Sequence, residues 1–498
     1  MMPSPSPLTR RTLLAALAAP ALLRAARAAA DAGPEVATAA GRLRGSLADG
    51  VRVFRGIPYA APPVGPLRFR PPAPLPPWSG VRPALDFGPA AVQPPLAGLP
   101  GLPTDEDCLS LNVWAPAAGA GHPVLVWLHG GGNVAGTTRD PMLDGTTFAR
   151  DGVVCVTVGY RLGAFGFLDL SGVLGDAYAG SGCNGLRDQA AALVWVRDNI
   201  AAFGGDPARV TVAGQSAGAK DVCALLAAPS ASVLFRRAII ESGSGQTVFD
   251  ADQGAQIASQ FAAACGAAPR DLPAERLLAA EQAVLAASPV DFPFRPVIDG
   301  VFLPRRPVDA VAAGSAAGIA LLLGSNADES VLFVPDPAQA AGPVGPAALS
   351  NLPAGAFADL QAPYDTLLPT LSPAERHWRM LTAEEYWIPT LRVAEAQVGA
   401  GGAAWMYRYD VPATEGRFAG HAVHASELPS VWDRPGAALP AMHAAWVRFI
   451  AGRAPGAPGW PDWPQFDTAA RRTMILDAAP HVEPDPREAE RRLWTGVL

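Results

Sequence analysis

Arg209-Val210-Thr211-Val212-Ala213-Gly214-Gln215-Ser216-Ala217-Gly218 is the stretch from which the fold of this chain can be read. A short run rich in β-branched residues leads directly into the one Gly-x-Ser-x-Gly match in the chain, and a helical pattern over 217–227 leaves it. A strand, a tight turn and a helix in that order lift a serine hydroxyl above the carboxyl edge of a sheet. The helix N-terminus then directs backbone N–H groups toward negative charge developing there. Glycines at 214 and 218 permit the turn.

Working outward, short apolar runs recur at 123–128, 153–158, 209–213, 237–240 and 319–323. Runs without alternation are the pattern of parallel strands buried on both faces. Between two of them, Leu186, Ala190, Leu193, Val196 and Ile200 recur at helical spacing over 185–203. Strand alternates with helix, so an α/β architecture with a mostly parallel, doubly wound sheet is expected. The mainly helical 251–287 and the mixed, Pro-rich 335–381 suit cap-like insertions over that sheet. No internal repeat or linker breaks the chain, and the prolines between 58 and 103 punctuate a surface arm. One α/β-hydrolase domain over 31–498 is the expectation.

A serine hydroxyl is a weak nucleophile at neutral pH, so a base must take its proton and an acid must orient that base. After such an elbow the acid and the histidine follow in chain order. The run 319–323 leads into Gly324-Ser325-Asn326-Ala327-Asp328-Glu329, where either carboxylate could serve. Of the five later histidines, only His421 and His424 follow a strand-like run, 404–409, by one loop, and both are contenders for the base. Upstream, the run 123–128 ends in His129-Gly130-Gly131-Gly132. Glycine amides there can approach a substrate, and those of Gly131 and Gly132 would join that of Ala217 around an oxyanion. His129 is expected to order this loop rather than to transfer protons.

The chain has 498 residues with a formal charge of −7 and no basic cluster, which argues against nucleic acid or anionic lipid as a partner. Past the N-terminus no apolar run is long enough to span a bilayer. Residues 1–30 read as a twin-arginine export signal: Arg10-Arg11 precedes a short apolar stretch, and Ala26-Arg27-Ala28 and Ala28-Ala29-Ala30 offer cleavage sites. A periplasmic or secreted location follows as an expectation, with no stable membrane insertion after cleavage. Cys108, Cys155, Cys183, Cys223 and Cys265 match no metal or dithiol spacing, and neither a metal nor a cofactor is implied. Cys155 and Cys223 read as small buried thiols.

Taken together these residues resemble the type-B carboxylesterases, the family of para-nitrobenzyl esterases, carboxylesterases and cholinesterases. The resemblance extends over nearly the whole mature chain. Phe54-Arg55-Gly56-Ile57-Pro58-Tyr59-Ala60 and Pro66-Leu67-Arg68-Phe69 are similar to its N-terminal arm, Glu106-Asp107-Cys108-Leu109-Ser110-Leu111-Asn112-Val113 to its second signature, and Phe203-Gly204-Gly205-Asp206-Pro207 to the approach to its nucleophile. The resemblance implies a Ser216, Glu329, His424 triad acting on a small-molecule ester, with Ser242 supporting the acid. The same machinery could also serve an amidase or acyl transferase. A catalytically silent binding member would be expected to lack the nucleophile or base, which are retained here. The chain departs from the family pattern at Gln215, where glutamate is common, at Asn133, where an aromatic residue is common, at Gly159 and at Ser330. The partner commonly paired with the Cys108 position is replaced by Ala91. Lys220-Asp221 stands where small residues are usual and reads as a solvated helix pair, with a role at the site as the alternative.

Overall fold

The strand that ends at the serine elbow lies in the interior of an eleven-stranded sheet. The computed structural model describes residues 33–288, 292–340, 349 and 351–498, and the expected export leader lies outside them. A small three-stranded sheet is made by Glu35–Ala37 (β1), Arg42–Arg44 (β2) and Val81–Pro83 (β5). The large sheet begins with Ser46–Ala48 (β3), Val51–Pro58 (β4), Ser110–Pro116 (β6), His122–Leu128 (β7) and Val154–Val158 (β8). It continues with Gly205–Gln215 (β9), Arg237–Glu241 (β10), Ala320–Asn326 (β11), Ala404–Tyr409 (β12), Thr473–Leu476 (β13) and His481–Glu483 (β14). Their order across the sheet is β14-β13-β12-β11-β10-β9-β7-β8-β6-β4-β3.

From β8 through β7 and β9 to β13 all neighbours are parallel, as the continuous apolar runs require. The antiparallel flank of β3, β4 and β6 was not apparent from those runs. For β3 and β4 the cause is local: Asp49 and Gly50 form a two-residue turn with φ of 50° and 77°, the type I′ geometry that closes a hairpin with Ala48 opposite Val51.

Successive side chains of a strand face opposite layers, and both layers are buried. Val210 and Val212 of β9 join the core cluster that holds Leu193 and Val196 of helix Asn184–Asn199 and Val222 and Leu225 of helix Ala217–Ala227. Ala213 of β9 and Trp127 of β7 join the opposite cluster, with Trp446 and Phe449 of helix Ala441–Ile450. Each fully buried large apolar side chain here stabilises the fold by about 1.5–3 kcal/mol. This double cover makes the strand ends a rigid platform.

The 251–287 segment is two helices, Ala251–Cys265 and Ala274–Ala287. An Asp250/Gln253 capping box starts the first and the left-handed Gly266, at φ 66°, ends it. All five cysteines are buried and unpaired. No helix of the described residues is long and apolar enough to cross a membrane.

Candidate active site

The parallel strands deliver the sequence-predicted residues to one edge. β9 lies between β7 and β10, with Gly214 opposite both Leu128 and Ile240, so Ser216 emerges beside the glycine loop that follows β7 and beside Ser242 after β10. Ser216 has φ 59° and ψ −127° at the start of helix Ala217–Ala227, the strained turn its surroundings must hold in place. Its N–H donates to the Glu241 carbonyl at 2.9 Å. A Cβ on residue 218 would stand 2.2 Å from the Leu128 carbonyl oxygen, so only glycine lets helix and strand approach this closely.

Glu329 follows β11 and is fully buried. Its Oε2 lies 2.5 Å from His424 Nδ1, and its Oε1 accepts from Ser242 Oγ at 2.5 Å and from the Asn326 N–H at 2.7 Å. Of the two adjacent carboxylates the structure therefore brings Glu329 to His424. Asp328 turns to the other histidine instead, with 3.6 Å to His421 Nδ1. The His424 loop is held by Asn326, whose Nδ2 donates to the Val423 carbonyl at 2.7 Å and to Glu427 at 2.6 Å. Burial and the charge of Glu329 push Glu427 upward, and burial with Glu427 pushes Glu241 the same way. The Gln215 side-chain nitrogen lies 3.2 Å from His424 Nε2.

Gly131 and Gly132 take φ of 117° and 64°, and the Phe292 ring packs where a Cβ on Gly132 would be. The loop is anchored as expected at His129, whose ring stacks on Tyr160 at 4.5 Å and whose carbonyl accepts from the Tyr160 hydroxyl at 2.7 Å. Burial pulls the His129 imidazole down to about 4, which keeps it neutral. Ala217, the third expected donor, is the first residue of its helix and is buried.

Ser216, His424, Gln215 and Gly130 to Gly132 border one cavity of about 500 Å³. Its other walls, which the sequence reading missed, include Leu96, Leu99, Trp127, Phe292, Phe333 and Leu428. They come from distant segments and carry no motif. Asp140, the carboxylate among the described residues of this wall, is exposed. Tyr386 and Phe333 flank the His424 ring at 4.8 and 5.2 Å. Tyr386 belongs to a π-helical turn, Ala383–Trp387, an irregularity common at functional sites.

Lys220 and Asp221 correct the expectation of a solvated pair: both are buried. The Lys220 ammonium pairs with Glu385 and sits 4.8 Å from the Phe292 ring and 5.5 Å from that of Tyr386. Asp221 accepts from Gln189 Nε2 at 2.5 Å and Asn133 Nδ2 at 3.1 Å. Burial nevertheless pushes its carboxyl up to about 7. Helix Ala217–Ala227 is enclosed on all sides, so neither side chain has a solvent face.

Comparison with known proteins gives a consistent answer. A family model described as the carboxylesterase family matches residues 32–351. The chain is 37% identical over 488 residues to a para-nitrobenzyl esterase of Bacillus subtilis (strain 168), covering 92% of this chain and 97% of that protein. A solved PNB esterase structure superposes with a TM-score of 0.80 at 36% identity, and a Geobacillus stearothermophilus carboxylesterase with 0.80 at 38%. Each covers 92% of this chain and 99% of the other.

Proposed function

Because the chain belongs to the carboxylesterase family and is a serine carboxylic ester hydrolase of α/β-hydrolase fold, we propose that it works through Ser216, His424 and Glu329 by way of an acyl-enzyme. Ser216 Oγ attacks the ester carbonyl carbon while His424 Nε2 takes its proton. Glu329 holds the ring and balances the imidazolium. The tetrahedral oxyanion is received by the N–H groups of Gly131, Gly132 and Ala217. His424 then protonates the leaving alkoxide, and a water activated by the same ring cleaves the acyl–serine bond and restores the hydroxyl.

The observation that carries this reading is the 2.5 Å contact of His424 with a fully buried Glu329, on a cavity that Ser216 also borders. The largely apolar walls support neutral acyl groups of short to medium length. Hydrolysis of p-nitrophenyl acetate and butyrate, abolished by phenylmethylsulfonyl fluoride with the label on Ser216, is the expected result. A label elsewhere, or none, would refute the assignment. An anilide of the same acid should be cleaved far more slowly, because its leaving group needs more complete protonation.

Export of the folded enzyme to the periplasm or beyond the cell is proposed on Arg10-Arg11. Replacing both with lysine should leave the enzyme in the cytoplasmic fraction. Unchanged recovery outside the cytoplasm would remove the proposal.

A further inference from the structure

Asn133 immediately follows the glycine loop, and Asp221 lies on the helix that starts at Ser216. They are 88 residues apart in sequence and meet through the 3.1 Å hydrogen bond from Asn133 Nδ2 to Asp221 Oδ1. Asn133 is held at φ 59° and its carbonyl accepts from the Gly163 N–H at 2.6 Å, so both ends of the residue are fixed. The other oxygen of Asp221 accepts from Gln189 of helix Asn184–Asn199. Lys220 is turned away to Glu385. The Phe292 ring lies against Gly132, where an added Cβ would stand 2.6 Å from it.

We propose that Asp221 is a positioning residue for the oxyanion loop: through Asn133 it ties Gly131 and Gly132 to the same helix that carries the nucleophile. The proposal rests on the reading of those glycines as oxyanion donors. The tie sets the separation between Ser216 and the loop amides from one rigid element, five residues along the chain from the serine. An oxyanion donor acts only when it stands at hydrogen-bond distance from the position the charge will occupy, so slack in the loop is felt in the transition state more than in substrate binding. A buried carboxylate serving stability alone would have no reason to affect that difference.

The test uses the full enzyme with p-nitrophenyl butyrate as substrate, a phenyl trifluoromethyl ketone as a reversible analogue of the tetrahedral intermediate, and thermal unfolding to count folded enzyme. Asn133→Ala and Asp221→Ala should each lower kcat by about 10- to 100-fold with KM within about threefold, and should weaken the ketone by the same factor. The double variant should be no worse than about twofold below the weaker single variant, because both remove one tie. Asp221→Asn, whose amide oxygen still accepts from Asn133, should recover activity to within about threefold of the unmodified enzyme. If Asp221→Ala does not fold, Asp221→Ser takes its place in the same cycle. Additive losses, or a lowered unfolding temperature with unchanged kcat per folded molecule, would overturn the proposal. If the unmodified enzyme does not bind the ketone more tightly than substrate, the oxyanion reading itself fails, whatever the variants do.

Discussion

Gln215 meets His424 through a 3.2 Å contact between its side-chain nitrogen and the ring Nε2. Glu329 holds the ring at Nδ1, and Gln215 meets it at the other nitrogen. Gln215, next to Ser216 in the chain, thus touches the nitrogen proposed to take the serine proton. The amide brings hydrogen-bonding groups but no charge to that nitrogen.

Gln215→Glu would place a carboxylate against Nε2 and stabilise the imidazolium. The rising limb of the kcat/KM against pH profile should move up by about one unit, since an opposite charge within a few ångströms favours the charged form. A profile unchanged in position would show that residue 215 does not address the base.

Ser216→Ala and His424→Ala should each lower kcat by about four orders of magnitude or more, and the double variant should be little worse than either, because the groups act as one unit. His421, paired with Asp328 and partly exposed, is the internal control. His421→Ala and Asp328→Asn should each stay within about threefold of the unmodified enzyme, whereas Glu329→Gln should cost about 1,000-fold or more. Loss of turnover in His421→Ala with His424→Ala intact would reverse the assignment of the base.

Butyrylcholine should be a poorer substrate than a neutral butyrate ester of similar size and leaving-group acidity. Gln215 brings no charge, the Asn133 amide is bound to Asp221, and Asp140 on the cavity wall is exposed to solvent, where its field is screened. The ratio of kcat/KM at physiological salt decides it. An advantage for the cation would identify Phe292, Phe333 and Trp127 as a cage for the ammonium group.

Glu281 makes a separate prediction about stability. It is fully buried, accepts from the Ala164 N–H at 2.7 Å, and burial pushes its carboxyl up to about 8. The native state then binds its proton more tightly than the unfolded chain does, so its contribution is complete below the ordinary glutamate range. That contribution declines as pH rises from about 4 to about 8. Glu281→Gln cannot lose the proton. The unfolding temperature of this variant, relative to the unmodified protein, should climb across that window and level off above it. A difference that stays constant with pH would show that Glu281 is ionised throughout.

The Asp328-Glu329 and His421-Ala-Val-His424 segments mark where reading along the chain stops being sufficient. Each offers two groups of the right type after the right strand, and only the direction in which the strand-end turn points its side chains separates them. The resemblance to the family named Glu329 and His424, and the packed loop places those two side chains together at 2.5 Å. Asn326, Tyr386 and Phe333 carry no such signature. Their relation to His424 exists only once β11, β12 and the π-helical turn have packed.

What the amino-acid sequence determined by itself was whatever is governed by covalent neighbours: apolar runs as strands, 3.6-residue periodicity as helices, and the strand–serine–helix elbow at 209–227. Those signals sufficed for an α/β sheet with Ser216 at its carboxyl edge. The fate of Lys220 and Asp221 was decided only by tertiary structure, because charge alone favours solvent and burial requires partners the chain supplies from elsewhere. Glu385 lies 165 residues from Lys220, and Asn133 lies 88 from Asp221. A lysine and an aspartate side by side on a helix look solvated until the fold brings an acceptor to one and two donors to the other, and the desolvation of each charge is then offset by hydrogen bonds that no local pattern encodes.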